Sequence, residues 1–316
     1  MFMGNNVFII GNGFDLDLGL KTKYSDFAKS KYWYSSSCDL SRYLDNTKDT
    51  AEWFDLENAL LDYAMKETAK KNNVWENRSN VWGAKGQKIT SAQTNMDFFE
   101  KLKSNLCDYL REEQDKELDT SAMANDVLKT VLQNNTFHSI YSFNYTDLKM
   151  FAQKLGYDDD FKYTHIHGKL ANNSIILGVD ETDLITGYEM LHKTVNPYYK
   201  SHNMFNDLLA AEEIIIYGLS FGTIDFTYFR QVFQIISDSE LISEKNKKHI
   251  TIFTKNETSR IEIMKRLSEM GINRLKLYAQ STFSIIKTED GRNDEFDSFI
   301  KRIDMASIPS SSLRLI

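Results

Sequence analysis

The chain has 316 residues, and its 38 Lys and Arg against 45 Asp and Glu leave a net charge of −7, which argues against a broad nucleic-acid surface. Hydrophobic residues make up 41%, enough for a real core and too many for global disorder. Two cysteines, Cys38 and Cys107, cannot build a four-thiolate zinc site or a disulfide framework, no apolar run reaches bilayer-spanning length, and the start "MFMGNNVFII" lacks the basic and apolar regions of a secretion signal. The expectation is a cytosolic protein that carries no metal, stays off the membrane and disfavours nucleic acid, with a homo-oligomer left open.

Val7–Ile10 reads as a short buried strand that runs into "GNGFD". Gly11 and Gly13 let the backbone turn tightly and approach another group closely. Two uses fit: a turn that cradles phosphate, or a strand end that bends. The dinucleotide fingerprint needs its third glycine sooner than Gly19, and Asp15 sits where phosphate is expected. Asp15 reads either as a cap of the following helix or as a group facing a ribose or a water.

Residues 41–135 show helical patterns and no strand. "EWFDLENALLDYAMKE" places Trp53, Leu56, Leu60 and Ala64 on one face, and "MDFFEKLKSNLCDYLREEQ" does the same with Phe99, Leu102, Leu106 and Tyr109. The polar stretch 70–95 joins them. This insertion is expected to roof the carboxyl edge of a sheet, with Glu57, a carboxylate beside an apolar stripe, reaching down into a site.

Five more strands are expected: Ser139–Phe143, Tyr163–Ile166, Ser174–Leu177, Ile214–Tyr217 and Ile250–Phe253. Helices fall between most of them, over Thr146–Gly156, after Gly222 and over "NETSRIEIMKRLSEMG". Thr223 or Asp225 would cap the second of these. Strand–helix alternation predicts an α/β fold, a parallel Rossmann-like sheet with helices on both faces, built from residues 1–40 and 136–316. Polar residues collect at its predicted strand ends: Asn144 in "SFNYTD", His165, His167 and Gly168 in "HIHG", and Ser220 in "GLSFG".

In order and rough spacing "GNGFD", "SFNYTD", "HIHG" and "YGLS" resemble the glycine turn and strand ends of the sirtuin-type NAD-binding fold. More closely, "IIGNGFDLDLGLKTKYSDF", "WFDLE", "FNYTD", "IHG" and "GLSFGTIDFTYF" resemble the AbiH family of bacterial phage abortive-infection proteins over residues 7–229. The resemblance implies a sirtuin-like sheet and a role in antiphage defence. Without the zinc module of sirtuin deacylases it leans toward cleavage of NAD or a related ADP-ribose nucleotide, with a phage-derived trigger.

Under that reading Asn144 holds the ribose or a water, and His167 is a general base. Gly11, Asn12 and Gly13 offer N–H groups to a diphosphate, Ser220 bonds a phosphate or ribose oxygen, Asp15 and Glu57 line the site, and His165 stands behind His167. Gly168 leaves room for the ligand. Two other classes fit the sequence: a nucleotide-sensing or partner-binding module without turnover, and a serine hydrolase through the formal G-x-S-x-G at Ser220.

Overall fold

The computed structural model describes residues 6–50, 54–76, 85–134, 136–158, 160–178, 188–222, 225–238 and 247–306. In chain order the regular elements are β1 (Asn6–Ile10), α1 (Asn12–Asp17), α2 (Tyr24–Ala28), α3 (Asp39–Thr50), α4 (Leu56–Glu76), α5 (Lys85–Gln114), α6 (Met123–Gln133), β2 (Phe137–Ser142), α7 (Leu148–Lys154), β3 (Thr164–His165), α8 (Met204–Ala210), β4 (Glu213–Tyr217), α9 (Phe226–Asp238), β5 (Lys248–Thr254), α10 (Glu257–Glu269), α11 (Arg274–Gln280), β6 (Ser281–Lys287) and α12 (Asp294–Ala306). They fall into two compact units, a sheet unit (Met1–Leu20, Lys116–Ile166, Ser201–Ile316) and a helical unit (Lys21–Asp115, His167–Lys200).

In the sheet unit the six strands run in the order β3-β2-β1-β4-β5-β6, and every pairing is parallel. This is the α/β, Rossmann-like arrangement that the alternation predicts, with the order reversing between β1 and β4. Alternate residues explain why both faces are covered. Val7, Ile9, Ile214, Ile216, Ile250 and Ile252 face a core closed by α8–α11. Phe8, Ile10, Ile215, Tyr217 and Phe253 face the opposite core, where α1, α6, α7 and α12 contribute Phe14, Leu128, Phe151 and Phe299. The runs Val7–Ile10 in β1 and Ile214–Tyr217 in β4 therefore carry apolar or aromatic side chains on both faces.

Two strand expectations differ from the structure. Ser174–Leu177 joins no ladder. Ile175, Ile176 and Leu177 are buried in the helical unit, and one main-chain bond runs from the Ile176 N–H to the His167 carbonyl (2.8 Å). Their apolar character reflects burial, not pairing. The sixth strand is instead β6, at the sheet edge beside β5, where burial is mixed and the pattern weak.

The helical unit holds α2–α5. Phe27 packs on Trp33 and Tyr109, and Trp33 on Phe54. Phe99, Leu102, Leu106 and Tyr109 are buried along α5, as their spacing predicts. Trp53 lies outside the described residues. The stretch 70–95 is no plain linker, because α4 runs on to Glu76 and α5 begins at Lys85.

Candidate functional site

The carboxyl ends of β1 and β4 meet through their main chains. The Gly11 N–H donates to the Tyr217 carbonyl and the Gly13 N–H to the Gly218 carbonyl, each at 2.8 Å. A β-carbon on Gly13 would stand 2.5 Å from the Gly218 α-carbon. Gly218 itself has φ +68°, and a β-carbon there would stand 2.4 Å from the Gly13 carbonyl carbon. These glycines are present because two turns pack backbone to backbone. Of the three N–H groups that the resemblance offers to a diphosphate, those of Gly11 and Gly13 are engaged by the Tyr217 and Gly218 carbonyls, a correction to that expectation. Asn12 is exposed at the start of α1.

The same turn starts α1, which buries Phe14 and Asp15. Asp15 is not a helix cap. Its carboxylate, 1% exposed, accepts from the Asn144 side-chain amide (2.6 Å) and the Thr146 hydroxyl (2.7 Å). The second hydrogen of that amide goes to the Gly11 carbonyl (3.0 Å), so both amide hydrogens are used and the orientation of Asn144 is fixed. Both partners of the carboxylate are neutral. Burial therefore outweighs their hydrogen bonds and pushes the Asp15 pKa from its ordinary value of 3.8 up to about 7.

The turn after β2 is built to present Asn144. The Ser142 hydroxyl accepts from the Asn144 N–H (3.1 Å), and the Phe143 N–H extends the ladder to the Ile10 carbonyl (2.9 Å). Thr146, expected to start a helix, instead turns its hydroxyl to Asp15. Asp147 is the cap of α7, accepting from the Lys149 N–H (2.9 Å). Two residues beyond Asp15, Asp17 accepts from the Tyr217 hydroxyl (2.6 Å) and from the Ala124 N–H (2.9 Å) in the first turn of α6.

His165 ends β3 with Nδ1 3.0 Å from the Asn144 carbonyl and Nε2 3.0 Å from the Tyr163 hydroxyl. Ser220 is exposed after β4, and the strained residue of its turn is the neighbour Phe221, φ +52°. A nucleophile elbow puts that strain on the serine. His249, the histidine that follows in the chain, pairs with Glu213 at the amino end of β4, so the geometry gives the hydrolase reading no support. Asp225 directly precedes α9, its N–H bonded to the Gly222 carbonyl (2.8 Å), while Thr223 lies outside the described residues.

Glu57 and His167 belong to the helical unit, where a third residue joins them. Lys193, whose side chain has no exposed surface, stands 3.4 Å from each Glu57 carboxylate oxygen and 3.5 Å from His167 Nε2. The Gly178 N–H adds a 3.3 Å bond to Glu57. A lysine is rarely buried without an acid beside it, and here the acid lies 136 positions away, so nothing local in "LHKTVN" signals the pair. Gly168 leaves no space for a ligand. Its φ is +74°, and a β-carbon would lie 2.0 Å from the Ser174 carbonyl.

Two clusters thus emerge, Asp15, Asn144 and Thr146 in the sheet unit and Glu57, His167 and Lys193 in the helical unit. Among the described residues no group of three His, Cys, Asp or Glu side chains is placed to hold a metal, and no helix is long and apolar enough to cross a membrane. No curated protein matches the chain. The sequence profile described as "Bacteriophage abortive infection AbiH" matches residues 7–243, a span that holds both clusters. The chain belongs to the AbiH family of bacteriophage abortive-infection proteins.

Proposed function

We propose that this protein is an antiphage abortive-infection effector that binds NAD or a related ADP-ribose nucleotide, on a sirtuin-like sheet, and cleaves its N-glycosidic bond. One observation carries the reading: a buried carboxyl group, raised to about 7, sits at the carboxyl end of the first strand of a parallel Rossmann-like sheet. That edge is where open α/β sheets bind ligands, and perturbed carboxyls concentrate where proton transfer is needed.

The chemistry asks for little covalent help. The C1′–N bond breaks toward an oxocarbenium-like transition state, and the leaving nicotinamide keeps the bonding pair. A water oxygen attacks C1′, and its proton passes to ionised Asp15 as general base. Asn144, whose amide is already oriented, positions that carboxylate. With the Gly11 and Gly13 amides engaged, phosphate contacts fall to the exposed side chains of Asn12 and Ser220. The test is to incubate the purified protein with NAD, with and without phage extract, and to follow nicotinamide. Release that Asn144→Ala abolishes while the protein stays folded supports the reading.

A second reading has its own observation. Asp15 is 1% exposed and the glycine amides are engaged within the fold, as suits a nucleotide-sensing or partner-binding module without turnover. It predicts saturable NAD binding and no released nicotinamide.

A further inference from the structure

The Tyr163 hydroxyl stands at a junction. It lies 2.8 Å from Asp147 Oδ1, 3.2 Å from the Leu148 N–H and 3.0 Å from His165 Nε2. The other nitrogen of His165 faces the main-chain carbonyl of Asn144, whose side chain grips Asp15. The donors can be counted. A carbonyl oxygen only accepts, so His165 Nδ1 carries a hydrogen. The Leu148 N–H can only donate, so it fills one lone pair of the tyrosine oxygen. The tyrosine has a single hydrogen and two acceptors before it. If that hydrogen points to Asp147, then Nε2 must donate to the tyrosine, and His165 is an imidazolium whose charge Asp147 balances through the hydroxyl. If it points to Nε2, His165 is neutral and Asp147 keeps its bond from Lys149. In both arrangements the ring is held at two ends, and Nδ1–H is fixed on the Asn144 carbonyl.

We propose that Tyr163 is a positioning residue for Asn144: acting through His165, it fixes the main-chain carbonyl of Asn144 and so the amide that binds Asp15. The inference rests on the reading of Asp15 and Asn144 as the reactive centre, but its test does not use turnover. Tyr163→Phe removes the hydroxyl and leaves His165 Nε2 without that partner. Asp147→Asn keeps a competent cap for α7 and removes the charge behind the tyrosine. Tyr157→Phe is the control, because its hydroxyl bonds Asn125 (2.6 Å) and takes no part in the chain.

Two readouts decide. Long-range proton–nitrogen spectra report the His165 tautomer, and carbon-detected titration reports the Asp15 midpoint. We expect Nδ1 to carry a hydrogen in wild type, as the neutral Nδ1–H tautomer in one arrangement and as the imidazolium in the other. Tyr163→Phe should shift or broaden the His165 Nε2 signal and move the Asp15 midpoint by about half a pH unit or more, as loss of one net hydrogen bond from the chain would. Tyr157→Phe should change neither. A wild-type Nε2 signal and midpoint in Tyr163→Phe, or equal changes in Tyr157→Phe, overturn the inference. If Tyr163→Phe fails to fold, the same readouts on Asp147→Asn decide it, and unchanged values overturn it. Absence of NAD cleavage would remove the proposed function and leave this result standing.

Discussion

The sheet unit and the helical unit each bury a carboxylate, and they stabilise it by different means. Asp15 is surrounded by neutral donors, an amide and a hydroxyl. Glu57 has the ammonium of a fully buried lysine 3.4 Å from both its oxygens. Neutral donors leave burial as the larger effect, so Asp15 titrates near neutrality. A cation favours the charged form directly, so the Glu57 centre is an ion pair whose halves depend on each other. A carboxyl meant to exchange protons is better served by the first solution, and one meant to hold a fold together by the second.

The largest expected effect lies on the Asp15 side. Its pKa is raised in the folded protein, so the native state holds the proton more tightly than the unfolded chain does. The Asp15 contribution to stability is then fully present below about pH 4 and is lost as pH rises toward 7. The full change is about 4 kcal/mol, an upper figure for a shift of this size. Glu213, raised by burial from 4.5 to about 6 despite its bonds to Arg302, adds a smaller fall of the same sign. Urea denaturation from pH 4 to 8 checks this. Asp15→Asn keeps both contacts, because the Thr146 hydroxyl accepts as readily as it donates, and it should remove the Asp15 part of the slope, leaving the Glu213 fall and the opposing rise from His249, whose pKa burial and Arg302 lower.

Next in size is the ion pair. Lys193→Met leaves the Glu57 carboxylate, 13% exposed, without its cation and should cost about 3 kcal/mol. Adding Glu57→Gln should restore most of that loss, and a double-mutant cycle measures the coupling.

The smallest effect tests the packed turns rather than the charges. Gly218→Ala must hold a positive φ of 68° and push its β-carbon against the main chain of Gly13. It should lose about 2 kcal/mol, read as a lower denaturation midpoint. Gly156 also has a positive φ but meets nothing within 4 Å, so Gly156→Ala should cost less.

Much of this architecture is legible in the residues. Val7–Ile10 of β1, Ile214–Tyr217 of β4 and Ile250–Phe253 of β5 are apolar or β-branched runs closed by polar or glycine turns, and Asn256 and Gly271 mark the ends of α10 as cap residues should. What escapes the sequence is what depends on distant partners. Ser174–Leu177 is as apolar as a strand because it is buried, and "STFSIIK" hides its pairing because an edge strand is only half covered. Gly11 and Gly13 look like a phosphate turn, but their amides meet the end of β4 about 200 positions away. Thr146 looks like a cap and turns to Asp15 instead. Lys193 gives no local sign at all, since its burial is set by Glu57.

The measurement that tests the central claim most directly is the pH dependence of nicotinamide release from NAD. If Asp15 is the general base, the rate rises with pH through a midpoint near 7, set by its raised pKa, then levels off, and Asp15→Asn abolishes it without unfolding the protein. A rate that is flat across that range, an Asp15→Asn variant as active as wild type, or no release with or without phage extract would contradict the account.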